Sequence, residues 1–489
     1  MPDCLYDSFL RRVKRVGLLL RRESQQSRAV SSSDWKLTRG SALRHIRNIA
    51  IPAAVGLFCN TLFNITDTFY AGWLATDAQA ALAFAFPLYF IQLSCCIGIL
   101  QAIASKVAGA VGGGSMTRAR RLVGQGMLLA ATICAVIWLI LLPFADTLLG
   151  LLGARGQVRD WAEEYTSIIF LGAPAFIFAF ALNGALHAVG NTTAFRNGII
   201  AATLANVILD PALMFGWFGL PALGMAGIAT ATVLAQAGMA MYMLSVLART
   251  PMVRRWRWQL LKPRWTIYTS LAKAAIAPTG RMLCINTGFF IITGFLGYFS
   301  DAAVAGYGIA LRLEQLFLLP TIGMEAAMIA YCGQNFGARQ PARALAAYRI
   351  CFTNGMWFMG IGAVVMLLFG EFMVGLFNSD EDVLREGRRY LWLAAASGPL
   401  YVILNIAGAV FLAAGRHKII LLVNIARLTL APAAFSFLLA IWLEQGVGGV
   451  WISVFVCNAF AMVFMHQRCM HLLRQMTSKT ARDGASKPI

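Results

Sequence analysis

Apolar residues in this chain run almost unbroken for twenty or more positions, then stop at clusters of glycine, proline, asparagine or charge. Twelve runs can be read, at approximately 48–74, 79–105, 122–145, 164–188, 195–216, 222–247, 270–299, 302–333, 345–370, 389–414, 419–442 and 447–467. About 20 apolar residues in a helix cross a hydrocarbon core about 30 Å thick. Leu, Ala, Gly and Phe without the dyad alternation of a barrel strand fit helices. The pattern predicts an all-α polytopic membrane protein with twelve transmembrane helices.

The runs repeat. Pro52 matches Pro278 at a spacing of 226, and Gly98/Gly323, Gly112/Gly337, Arg118/Arg343, Pro174/Pro399, Gly190/Gly415 and Gly224/Gly449 match at 225. Six spans per half is an even number, so the second half starts on the same side as the first and the repeats are parallel. The expected organisation is a basic extension (1–44), a first lobe (45–248), a basic linker (249–269), a second lobe (270–470) and a tail (471–489). Two such lobes leave a cavity between them that can face each side in turn.

Charge fixes the orientation. Of 41 basic residues, 33 lie in one set of alternate connections plus the two termini, five in the other set, and three, Arg281, Arg312 and Arg427, inside spans. By the positive-inside rule both termini are cytoplasmic and the chain is a multi-pass protein of the inner membrane. The net charge of +20 is then topology and no sign of nucleic-acid binding. The first 44 residues suit a basic amphipathic helix on an anionic leaflet, a solvated tail, an extension from an upstream start codon, or an organellar leader. Ten cysteines form no CxxC pair and read as reduced packing residues.

Enzyme chemistry and ATP find no support. No Gly-Lys dipeptide and no H-E-x-x-H occur, so the chain carries neither a phosphate-cradling loop of the G-x-x-x-x-G-K type nor the zinc protease signature. The expectation is a transporter without cofactor or metal, driven by an ion gradient.

A carboxylate inside hydrocarbon costs about 2.5 to 3.5 kcal/mol on insertion scales and marks a functional site by default. Four are candidates: Asp67, Asp210, Glu314 and Glu325. Asp67 shares a helical face with Asn60 and Asn64, and Asp210 shares one with Thr203 and Asn206. Both lie toward the outer ends of outward-running helices, at similar depth. Pro211 removes the donor that would bond the Val207 carbonyl, and Pro52 acts likewise in the first span. A freed carbonyl beside a carboxylate suits a cation or water. Two desolvated carboxyls can share a proton and lose it when water enters; the same oxygens can instead coordinate sodium. Glu314 and Glu325 have Arg281, Arg312 and Arg427 as prospective ion-pair partners, and the many Phe and Met residues can line a pocket for flat apolar ligands.

The motifs resemble the multidrug and toxic compound extrusion (MATE) family over about residues 45–470. They comprise Ile51-Pro52 with Asp67-Thr68 and Gly72, Val111-Gly112 before Arg118 to Arg121, and Asn183 with Val189-Gly190-Asn191-Thr192. They continue with Asn206-Val207-Ile208-Leu209-Asp210-Pro211, Gly224 and Gly227, then Gly333-Gln334-Asn335 and Gly337. The resemblance implies a cation-coupled efflux antiporter with two six-helix lobes, V-shaped when open outward. It places Asp67, Asn183, Asn206 and Asp210 in a coupling site and Pro52 at a bend. The DinF-like branch is most similar. The NorM-like branch has acids in the seventh and tenth spans, whereas residues 281–293 and 391–414 here have none.

The expected function is proton-coupled export, with sodium as the alternative ion, of amphiphilic or cationic organic molecules by a monomer in the lipid bilayer. The alternative is a flippase for a lipid-linked oligosaccharide, which would need a strongly cationic cavity; only three span arginines are available for one.

Overall fold

The computed structural model of the chain describes residues 37–219, 221–252 and 262–485. The basic leader up to residue 36 and residues 253–261 of the interlobe linker fall outside these. Helices follow one another almost without loops. They are α1 (Ala42–Leu74), α2 (Thr76–Gly112), α3 (Met116–Val136), the short α4 (Ala145–Leu151), α5 (Gly156–Leu171), α6 (Ala173–Ala188), α7 (Thr193–Phe215) and α8 (Met225–Ala248). The second half holds α9 (Trp265–Phe299), α10 (Asp301–Gly337), α11 (Pro341–Gly375), α12 (Glu381–Ala413), α13 (His417–Ile425), α14 (Ala431–Ser436) and α15 (Gly446–Ala485). Among the described residues eleven helices are long and apolar enough to span, one of them His417–Trp442, in which a π-helical turn joins α13 to α14 and another follows α14, and α5 with α6, bent by 47°, makes a twelfth when taken as one.

The repeat is visible in the helix bounds themselves: α2 and α10 coincide after a shift of 225, as do α5–α6 and α12. One difference is local. The run expected as a continuous fourth span breaks at Gly172, although Pro174 and its counterpart Pro399 occupy matching sites. The counterpart of Gly172 is Ser397. A Cβ at Gly172 would collide with Val233, so glycine lets the bent span pack against α8 where proline alone would leave it continuous. The Phe170 carbonyl that Pro174 cannot serve accepts the Trp138 indole N–H at 2.9 Å. Pro52 lies inside α1, which runs uninterrupted from Ala42 to Leu74.

The halves meet where α2 crosses α10. A Cβ on Gly112 would overlap the Gln334 carbonyl, and one on Gly337 would overlap the Gly109 carbonyl. Shifted by 225, these two contacts are the same contact, so the helices cross on the pseudo-two-fold axis. Glycines four apart at the end of each helix (Gly109 and the capping Gly113, Gly333 and Gly337) allow backbone-to-backbone approach. Close by, the Leu37 N–H donates to Gln334 Oε1 at 2.9 Å, Gln334 Nε2 to the Ala188 carbonyl at 2.8 Å, and Arg343 to the Gly40 carbonyl at 2.8 Å. Leu37 is buried, so the last residues of the basic extension belong to this seam. These bonds gather at the end that carries the basic loops, and the seam reaches inward as far as a bond from Gln101 to Glu325. The two lobes are therefore held together at the basic end.

Candidate functional site

Inside the first lobe, α1, α5, α7 and α8 converge on two carboxyl groups. Asp67 is 2% exposed, and Asp210 and Asn206 are fully buried. Thr232 Oγ1 donates to Asp67 Oδ2 at 2.9 Å, and Asn206 Nδ2 donates to Asp210 Oδ1 at 2.8 Å. Asp210, Asn206 and Tyr165 are the other polar groups beside Asp67. The two acids inferred to share a depth are neighbours in one buried site. Asp67 Oδ1, Asp210 Oδ2 and Asn206 Oδ1 are buried without a donor. Ionised carboxylates only accept, so two of them side by side repel, and each keeps an oxygen that a single proton between them would satisfy.

Not all the polar stripe reaches this point. The Asn64 amide bonds back to the Asn60 carbonyl at 3.0 Å. Thr203 donates to the Ile199 carbonyl at 2.8 Å and to the Cys59 carbonyl of α1 at 3.3 Å, so it ties α7 to α1 one turn or more away from the acids. Asn183 is buried on α6 with its carbonyl oxygen unpartnered. The Val207 carbonyl, expected to be free for a cation, accepts the Tyr70 hydroxyl at 3.0 Å. The proline removes one donor and a neighbouring helix supplies another, as at Phe170.

Thr232 and Tyr165 escaped the sequence reading. Thr232 is signalled by its position, four before Gln236 on one face of an apolar span. Tyr165 resembles an interfacial aromatic at a span's edge. Its counterpart at a shift of 225 is Tyr390, whose hydroxyl donates to Glu314 at 2.5 Å. Each lobe therefore sets a tyrosine from corresponding helices against a buried acid. Glu314 lies under Tyr307, Tyr390 and Trp451, whose rings pack at 4.9 to 5.6 Å. Glu314 has no arginine partner among the described residues, and Arg312, the nearest in sequence, is exposed. Glu325 pairs with Arg281 at 2.8 Å, the cross-helix ion pair expected for it, and accepts from Gln101 of the first half at 3.3 Å.

Among the described residues no three of His, Cys, Asp or Glu gather as metal ligands. The nine described cysteines are all unpaired. In the connection outside the spans, Arg159 binds both oxygens of Asp146 at 2.6 and 2.7 Å. That bond holds the Asp146 carboxyl below its usual range, so it stays charged near neutral pH and is no reversible proton site.

A duplicated helical bundle closed at one end, with buried carboxyls in both lobes, defines a two-lobe membrane transporter. The chain belongs to the MatE family, whose sequence pattern matches residues 52–212 and 279–438, one block in each half. It is similar to an FAD transporter of Shewanella oneidensis, 27% identical over 89% of this chain and 97% of that protein. It is also similar to a probable multidrug resistance protein of Bacillus subtilis, YoeA, 22% identical over 88% and 94%. Among solved structures, an outward-facing multidrug resistance MATE family transporter of the MOP superfamily superposes with a TM-score of 0.85 at 20% identity, covering 91% of this chain and 99% of that one. That likeness concerns the fold. Members of the family are transporters, and the chain is no enzyme.

Proposed function

We propose that this protein is a secondary antiporter that exports amphiphilic organic molecules in exchange for protons held between Asp67 and Asp210. The observation that carries the reading is the closeness of two water-excluded carboxyls, each with an oxygen lacking a donor. A proton binds such a pair strongly while the site is closed and leaves when water or substrate enters, so its occupancy biases the orientation of the lobes. Asn206, Thr232 and Tyr165 orient the acids; Asn183 is a prospective substrate contact. Sodium fits less well, because the Val207 carbonyl that would complete an oxygen shell is engaged by Tyr70. The charge asymmetry of the loops supports cytoplasmic termini in the inner membrane, and the two lobes within one chain support a functional monomer.

The test is transport in proteoliposomes with proton and sodium gradients imposed separately. Export driven by an inward proton gradient and indifferent to sodium at fixed pH is expected. Export driven by sodium alone would replace the proton in this account.

A further inference from the structure

The second lobe encloses a small cavity with room for about one water molecule. Two guanidinium groups line it, Arg281 of α9 and Arg427, together with Asn405 and Asn424. Arg427 sits in a π-helical turn, Ala426–Leu430, a widened geometry that recurs at functional sites. It is only 7% exposed.

Its partners are neutral. Nε donates to Asn424 Oδ1 at 3.2 Å and Nη1 to Asn458 Oδ1 at 2.6 Å, which fix the side chain without cancelling its charge. Arg281 pairs with Glu325 at 2.8 Å and keeps a buried Nε with no acceptor. One carboxylate thus stands against two guanidiniums. A buried cation without a counter-charge is costly, and arginines inside spans mark ligand pathways. Glu314 cannot serve as the second counter-charge, because Tyr390 holds it within the separate aromatic cluster. Planar guanidinium forks match the oxygens of phosphate.

We propose that Arg281 and Arg427 form a subsite for the phosphate group of an amphiphilic substrate, and that Glu325 is the internal counter-anion this phosphate displaces from Arg281, its departure widening the one-water cavity to admit the phosphate. Only two of the three span arginines are needed, since they converge on one cavity. Glu325 also accepts from Gln101 across the seam at 3.3 Å, so displacing it loosens a bond between the lobes. The proposal deepens the export reading by naming a substrate class, and it does not depend on which ion is coupled.

The test is equilibrium binding to the purified full-length protein with no gradient, which separates it from any failure of proton coupling. FMN and riboflavin share a flat fluorescent ring and differ by one phosphate. FMN should bind at least about tenfold more tightly, a difference of about 1.4 kcal/mol. Arg427→Gln should abolish that preference and leave riboflavin within about twofold, whereas Glu325→Gln should strengthen FMN binding several-fold. Should Arg427→Gln fail to fold, the double variant Arg281→Gln/Glu325→Gln removes a matched pair of charges and should likewise lose the preference. Displacement of FMN by dihexanoyl phosphatidic acid would place lipid phosphates among the ligands of this subsite, and displacement by inorganic phosphate alone would point to soluble esters. Equal affinities for the two flavins, binding of neither, or an unchanged preference in both arginine variants would overturn the proposal.

Discussion

A proline inside a membrane helix leaves a carbonyl without its partner, and at two positions here a side chain from another helix supplies the donor. Trp138 serves Phe170 and Tyr70 serves Val207. The second case bears on ion selectivity, because that carbonyl lies on the same helix as Asp210. Tyr70→Phe should lower stability by about 0.5 to 1.5 kcal/mol, the net worth of one hydrogen bond. It should also let sodium stimulate transport at fixed pH, where the unmodified protein does not respond. Melting temperature and sodium titration in proteoliposomes read the two effects; sodium stimulation in the unmodified protein would contradict this role of Tyr70. The sequence made Asp67, Asn206 and Asp210 legible, since charge and amide in an apolar run have few structural explanations. It left Tyr70, Tyr165 and Thr232 obscure. Hydroxyls are common in spans, and only tertiary packing shows which of them meets an acid. Arg281 and Glu325 were readable as a pair, whereas Glu314 found a phenol in place of an arginine, a choice that no spacing along one helix records.

At the scale of the element, helix positions were largely readable and helix contacts were not. The shift of 225 carries the bounds of α2 onto α10, yet only the structure shows that Gly112 and Gly337 are symmetry mates packed against each other's helices. Gly112→Val would drive two methyl groups into the Gln334 backbone, which no rotamer change can relieve. It should hold the basic end apart and reduce export by about tenfold or more, an effect of about 1.4 kcal/mol or greater on the closed state. At Gly238 a Cβ would meet nothing within 4 Å, so this position should accept alanine without loss. The reporter is Ser105→Cys, buried beside the seam, with an impermeant thiol reagent applied from the side of the basic loops. Faster labelling in the Gly112→Val background is expected; unchanged labelling and export would remove the glycine crossing from the closing contact. The break at Gly172 has the same lesson, because Pro174 and Pro399 look alike in sequence and differ only through their neighbours Gly172 and Ser397.

For the whole molecule, two predictions follow from charge and from the paired acids. The loop holding Ser379 belongs to the acidic side and Arg118, in the first turn of α3, to the basic side, and both residues are exposed. In intact cells Ser379→Cys should react with an impermeant maleimide and Arg118→Cys should not; the reverse pattern would invert the molecule in the membrane. The central claim is that a proton between Asp67 and Asp210 couples a gradient to export. Asp210→Asn replaces the shared proton with a permanent amide donor, so the site is held in the equivalent of its protonated state. The most direct measurement is substrate binding and proton-gradient-driven export on the same purified Asp210→Asn protein. The account predicts binding within a few-fold of the unmodified protein and no uphill export at any imposed pH difference. Gradient-dependent export retained by Asp210→Asn would contradict it.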